Sequence, residues 1–298
     1  MVLLFSNPSI PPGSDARFKI YGLSVTGGAN SDARKGPIQS SELNNAATQG
    51  YHCLHIPLES SYDEELMLYG IMHAHNRFFE GMFSNISGIS RQAFEDGVMS
   101  QEETEFLRQT AIPHFQECVV GDVVIRQPAG FTWQDIKQMI EIEDRRQPLD
   151  LVLIDYLALM DVGDPRYATS AINETIKQVK NLCLTFRGGD GLAVITPVQG
   201  KREGYEQAKE NGGMWTAAGA YMYSEFEKSL DKMVYVYSDN ELKGEDHVKV
   251  GVCKSRRTID CPATTVERHP QSGRISDLPG SGADPERRIA GATIEGGW

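Results

Sequence analysis

Four groups of side chains have the types and spacing to act on a phosphate. Asp155 closes the apolar run LDLVLIDYLALM, residues 149–160. A carboxylate ending a strand buried on both faces costs on the order of several kcal/mol if left unpaired. In nucleotide-binding α/β proteins its partner is magnesium, held through the ion's water shell at the carboxyl end of the strand. A hydrogen-bonded or helix-capping structural aspartate has the same appearance, and the residue alone leaves both readings open. Glu59 stands just past YHCLHIPL, where a neighbouring parallel strand would end. There a glutamate can orient and deprotonate a water for attack on a phosphoryl group. The adjoining SSYDEE keeps a solvated loop glutamate as the competing reading.

The third group is ITPVQGKREGYEQAKENGG, residues 195–213. An apolar strand runs into Gln199, whose amide can touch a phosphate and report it to the segment that follows. That segment carries Lys201, Arg202 and Lys209 with Tyr205 between them, a set suited to single-stranded nucleic acid through phosphate contact and stacking. Glu203, Glu206 and Glu210 dilute the positive field, so a solvated charged helix fits the same residues. The fourth group is VGVCKSRRT, residues 250–258, a strand ending in Lys254, Arg256 and Arg257. Strand alternation puts Lys254 and Arg256 on one face, from which cations could enter a neighbouring subunit's site. A basic hairpin that keeps a sheet edge charged against aggregation is the alternative.

Elements must position these groups, and the punctuation predicts alternating strands and helices. Strands are expected at 18–26, 51–58, 119–125, 151–157 and 192–197, with closing strands at 233–238, 248–254 and 263–267. Helices are expected at 39–49, stopping at Gly50, and at 62–82, 132–145, 171–185 and 225–230. A further helix over 100–115 opens on Ser100 with Glu103 three residues on, a capping-box pattern. The run LVLIDYL is apolar almost throughout, as expected of a parallel strand covered on both faces. This order predicts a mostly parallel sheet flanked by helices, with antiparallel strands toward the C-terminus.

The 298 residues carry 41 acidic and 29 basic side chains, a net charge of -12. This excludes a basic coat for nucleic acid but not a pore that gathers its cations locally. No apolar run approaches the ~20 residues of a membrane span, so no membrane association is expected. The first residues lack the basic start of a secretory signal. Five cysteines without a CxxC pair indicate neither a zinc site nor a disulfide framework, and fit buried free thiols in a reducing cytosol.

In this order the pieces resemble the RecA-like motor domain of the DnaB-type replicative helicases and their phage relatives. The resemblance is carried by LDLVLIDYLALM, by 173–213, by SEFEKSLDKMVYVYSD and by VKVGVCKSRR, and extends over residues 22–277. It implies a RecA-like P-loop NTPase fold, with an N-terminal arm at 1–17, the motor at 18–278 and a flexible tail at 279–298. It also implies ATP and Mg2+ as cofactors, single-stranded DNA as partner, and a homo-oligomeric, hexameric ring. Glu59 then takes the place of the catalytic glutamate, Asp155 that of the Walker B aspartate and magnesium ligand, and Gln199 that of the phosphate sensor. Lys254 and Arg256 take the places of the lysine and arginine finger supplied across a subunit junction. Arg166, Lys201, Arg202 and Lys209 lie on the two loops that line the DNA pore.

Two departures qualify the resemblance. No GxxxxGK[ST] occurs; GGANSDARKGPIQS stands in its place. Taking Gly27 and Gly28 as the opening puts Arg34 at the usual lysine and Lys35 at the magnesium-binding hydroxyl, so Gly28, Arg34 and Lys35 become the phosphate-binding candidates of a degenerate loop. The sequence also begins almost at the motor, without the helical collar of the replicative enzymes, which implies a stand-alone module of phage type, working in the host cytosol. The resemblance implies an ATP-dependent helicase or translocase on single-stranded DNA in replication. The degenerate loop implies instead a catalytically silent relative kept for DNA binding or assembly. A recombinase of the RecA type shares the fold but fits the K-x-R hairpin less well.

Overall fold

The structure is a computed structural model describing residues 22–28, 35–84, 86–119, 121–161, 164–200, 202–216, 224–255 and 263–278. Arg34, Lys201 and Arg256, the N-terminal arm and the C-terminal tail lie outside the described residues.

The chain alternates as the punctuation predicts. Strand β1 (Gly22–Gly28) leads to helix α1 (Lys35–Thr48), which ends before Gly50 at a φ of +91°. Strand β2 (His52–Pro57) is followed by α2 (Tyr62–Phe79) and the short α3 (Arg91–Glu95). The helix expected over 100–115 has its capping box, Ser100 with Glu103, but is interrupted. It runs as α4 (Gln101–Phe106), a π-helical turn (Leu107–Ala111) and α5 (Ile112–Cys118). Pro113 explains the break: it offers no N–H to the preceding turn, and the wider turn takes up the mismatch.

Strand β3 (Asp122–Ile125) precedes α6 (Trp133–Arg146), capped reciprocally by Thr132 and Asp135. Then come β4 (Leu151–Asp155), α7 (Ala168–Thr185), β5 (Ala193–Gln199) and α8 (Arg202–Glu210). Helix α9 (Ser224–Ser229), β6 (Lys232–Tyr237) and α10 (Asn240–Gly244) lead to the last strands, β7 (His247–Ser255), β8 (Thr264–Arg268) and β9 (Ile275–Asp277).

Among the described residues one sheet runs β3-β2-β4-β5-β1-β6-β7-β8-β9, parallel from β3 to β6 and antiparallel from β6 onward. Both faces of the parallel part are covered, as its apolar strands require. On one face Cys53, Leu151, Leu153, Ala193 and Ile195 pack with Leu43 and Ala47 of α1. On the other, Leu54, Ile56, Val152, Ile154 and Val194 pack with Ile136 and Ile140 of α6 and Ile172, Ile176 and Val179 of α7. Each fully buried aliphatic side chain contributes roughly 1.5–3 kcal/mol, so these layers fix where the strands end. A satellite core joins Met67, Ile71 and Ala74 of α2 to Leu107, Ala111 and Ile112.

The expectation of buried thiols holds for Cys53 and Cys183, where burial pushes both thiols up, Cys183 to about 12. Cys253 is half-buried, and Cys261 lies outside the described residues. The expectation fails at Cys118, which is exposed because α5 turns that residue to solvent at its last turn. Among the described residues no helix is long and apolar enough to cross a membrane.

Candidate functional site

The C-terminal ends of β1, β2, β4 and β5 lie side by side. Pro57 pairs with Asp155 across β2 and β4, and Gly28 pairs with Gln199 across β1 and β5. The Leu58 N–H donates to the Asp155 carbonyl at 2.7 Å, extending the ladder one residue past β2. Glu59 is therefore the next residue after one fixed to Asp155. The Leu157 N–H donates to the Thr196 hydroxyl at 3.3 Å and ties the turn after β4 to β5. Asp155 is half-buried and Glu59 exposed. In open α/β sheets ligands bind at this edge, outside the carboxyl ends of the strands.

Of the phosphate-loop candidates, Gly28 is the last residue of β1 and Lys35 the first of α1, while Arg34 lies outside the described residues. The N-terminal turn of a helix supplies free N–H groups to anions. Pro37 sits in that turn and withdraws one of them.

The acidic run after β2 divides its work. The Ser61 N–H donates to the Glu64 carboxylate at 2.7 Å and the Glu64 N–H to the Ser61 hydroxyl at 3.2 Å, a reciprocal cap on α2 that holds Glu64 below the usual carboxylate range. Glu65 turns inward and is buried. It accepts from the Ser60 hydroxyl at 2.5 Å and lies 3.8 Å from Nδ1 of His55. His55 is 1% exposed and 3.4 Å from the Tyr69 hydroxyl, and its Nε2 is buried without a hydrogen bond. Burial pushes its imidazole down, with Glu65 partly opposing. Sequence reasoning alone passes over this cluster; Glu65 at helical spacing from Tyr69, opposite a histidine in an apolar strand, is the signal it carries.

The basic segment after β5 is a helix rather than an open loop. Arg202 and Lys209 are exposed and, seven residues apart, share the outer stripe of α8 with Glu206 between them. Gly204 and Ala208 form the buried side. Tyr205, expected to be free for stacking on a base, stacks instead on Tyr237 with centroids 5.6 Å apart, and its hydroxyl donates to the Ser238 carbonyl at 3.2 Å. Lys249 donates to the Gly212 carbonyl at 2.8 Å, closing the end of the segment. Gly200 lies so close to the buried Trp215 that a Cβ there would stand 2.4 Å from the indole. On the turn after β4, Arg166 is exposed and paired with Asp164 at 2.5 Å, which holds that carboxylate low, and its guanidinium lies 5.9 Å from the Tyr167 ring centre.

Lys254 is half-buried near the end of β7 and pairs in register with Met233 near the start of β6. Met233 in turn lies beside Val25, behind Gly28 on β1, and β7 runs antiparallel, away from the edge where Gly28 and Gln199 stand. The strand order β4-β5-β1-β6-β7 separates Lys254 from Asp155 by four strand spacings, roughly 19 Å. The structure thus brings Glu59, Asp155, Gly28 and Gln199 to one edge and leaves Lys254 apart from it. Among the described residues no group of three or more His, Cys, Asp or Glu is gathered to hold a metal. A single carboxylate at a strand end is nevertheless the donor set magnesium uses when substrate phosphates and water complete its shell.

A parallel sheet covered on both faces, with antiparallel strands appended and its site at the carboxyl edge, is the RecA-like class. The family described as the DnaB-like helicase C-terminal domain matches residues 53–211, more than half of the chain, and the chain belongs to it. That match contains Glu59, Asp155, Arg166, Gln199, Lys201, Arg202 and Lys209, and begins after the degenerate loop. Among solved structures the fold is similar to one described as an ATPase domain, with a TM-score of 0.65 at 17% identity over 87% of this chain and 85% of that one. It is equally similar to a DnaB-like replicative helicase described with its interactions with primase, TM-score 0.65 at 16% identity, covering 87% of this chain but only 58% of that one. At these identities the likeness is one of fold. No curated protein matches the sequence.

Proposed function

We propose that the chain is an ATP-dependent helicase or translocase of the DnaB type acting on single-stranded DNA in replication, with residues 18–278 as the motor. The observation that carries this reading is the convergence of Glu59 and Asp155 at one sheet edge, tied by the Leu58–Asp155 hydrogen bond, beside Gly28 and Gln199. Glu59 is the base that orients water, Asp155 the carboxylate that holds magnesium, and Gln199 the phosphate sensor. Bound magnesium supplies charge neutralisation at the transferred phosphoryl group. Gly28, Lys35 and Arg34 contribute to phosphate binding, although Lys35 stands where the family motif has a hydroxyl.

Lys254 lies four strands from Asp155 in its own sheet, so as a finger it acts on a second copy, and Arg256 with it. This supports a homo-oligomer, hexameric by family resemblance, with sites at subunit junctions and with Arg166, Lys201, Arg202 and Lys209 turned toward the DNA. A host cytosol is the proposed setting.

A second reading, a catalytically silent DNA-binding or assembly module, is favoured by Lys35 at the hydroxyl position and by Pro37 in the first turn of α1. Calorimetric titration with ATP and magnesium separates the two. Micromolar binding, weakened at least tenfold by Lys35→Ala, is expected for the motor. DNA binding with a steep salt slope and no nucleotide binding supports the silent module.

A further inference from the structure

The exposed Glu59 stands between two backbone positions that are both fixed. Before it, Leu58 is bonded to Asp155. After it, Ser60 is held twice: its hydroxyl donates to Glu65, and its carbonyl accepts from the Gln127 side-chain amide at 2.9 Å. A solvated loop glutamate has no need of such neighbours. Glu65 is 7% exposed, and burying a carboxylate is unfavourable unless hydrogen bonds compensate it. The chain bears that cost for a bond whose partner, Ser60, adjoins Glu59. Gln127 follows β3, and the Arg126 N–H donates to the His55 carbonyl at 3.0 Å, so the second support is anchored to the same strand that delivers Glu59.

We propose that Glu65 is a positioning residue: its buried carboxylate, together with Gln127, clamps Ser60 and thereby sets the backbone from which Glu59 is presented beside Asp155. His55 lies 3.8 Å behind that carboxylate, with the Tyr69 hydroxyl 3.4 Å from the same imidazole. Glu65 touches neither nucleotide nor water in this role; it acts through Ser60. The inference rests on the reading of Glu59 as the water-orienting base.

The test uses the full chain with Ser60→Ala, Glu65→Ala and Glu65→Gln. Glutamine keeps an acceptor for the Ser60 hydroxyl and is the conservative rescue. For magnesium-dependent ATP hydrolysis, Ser60→Ala and Glu65→Ala are expected to lower kcat about tenfold with KM for ATP within about twofold, the pattern of a lost transition-state geometry. Glu65→Gln returns kcat to within about threefold of wild type, and the Ser60→Ala/Glu65→Ala double variant is no worse than the weaker single, as members of one unit behave. Unchanged kcat in Ser60→Ala, a half-buried position, overturns the clamp. A wild type without turnover refutes the catalytic reading instead, and amide hydrogen exchange over residues 58–62 then decides. Ser60→Ala is expected to accelerate exchange there about tenfold, as local opening becomes easier; equal exchange overturns the clamp in that case too.

Discussion

A carboxyl group in this chain does different work according to how far it sits from water. Asp155 ends a buried strand but is itself half-buried, at the edge where a cation would meet it. Glu42, on the buried side of α1, is the opposite case: burial raises it to about 8, with Lys232 pulling the other way. Its folded value lies above the unfolded one, so its contribution to stability is complete below about pH 4.5 and is lost as pH rises toward 8. Glu42→Gln removes that loss. In thermal melts the variant is expected to gain about 2 °C or more over wild type at pH 8.5 and to match it at pH 4.5. Equal differences at the two pH values would mean that burial does not raise the Glu42 carboxyl in the folded protein.

At the scale of elements, the strands were legible because parallel burial forces apolar runs, and LVLID, HCLHIP and KMVYVY have little other reading. The capping box at Ser100 was legible too, since it depends on residues three apart. What the sequence hid depends on distant partners. That helix α8 is docked, not solvated, depends on Tyr237 and Ser238, more than thirty residues on, which take up Tyr205. The clamp on Ser60 needs Gln127 from another strand's end. The interruption by the π turn follows from Pro113, whose missing donor is visible but whose accommodation is not.

The docking of α8 also narrows how it can meet DNA. With Tyr205 committed to the core, the DNA contact of the proposed motor would fall to Arg202 and Lys209 on the outer stripe, with Glu206 between them. Arg202→Ala and Lys209→Ala should each weaken single-stranded DNA binding across sequences alike and reduce the slope of log K against log salt by about 0.7. Fluorescence anisotropy over a salt series checks this. A slope unchanged in both variants would remove α8 from the DNA face.

For the whole molecule, the order and polarity of the sheet are the informative features. One edge gathers Glu59, Asp155 and Gln199; Lys254 sits four strands from Asp155 on a strand that runs away from that edge, so a single copy does not bring them together. The net charge of -12 is compatible with a pore whose cations are few and local. The proposed trans arrangement makes its own prediction. Lys254→Ala and Glu59→Gln proteins should each be nearly inactive, since a finger residue is worth roughly 10³–10⁵ in turnover. Mixing them restores part of the activity, because some junctions then pair an intact Glu59 with an intact Lys254 from the next subunit. A mixture no more active than its components would argue that Lys254 does not act across a junction.

The most direct measurement is magnesium-dependent ATP hydrolysis by the purified chain, with and without single-stranded DNA, for wild type beside Glu59→Gln. Turnover stimulated by DNA and reduced by about 10²–10⁴ in the variant is the predicted result. A wild type that hydrolyses no ATP under either condition, or a variant as active as wild type, would contradict it.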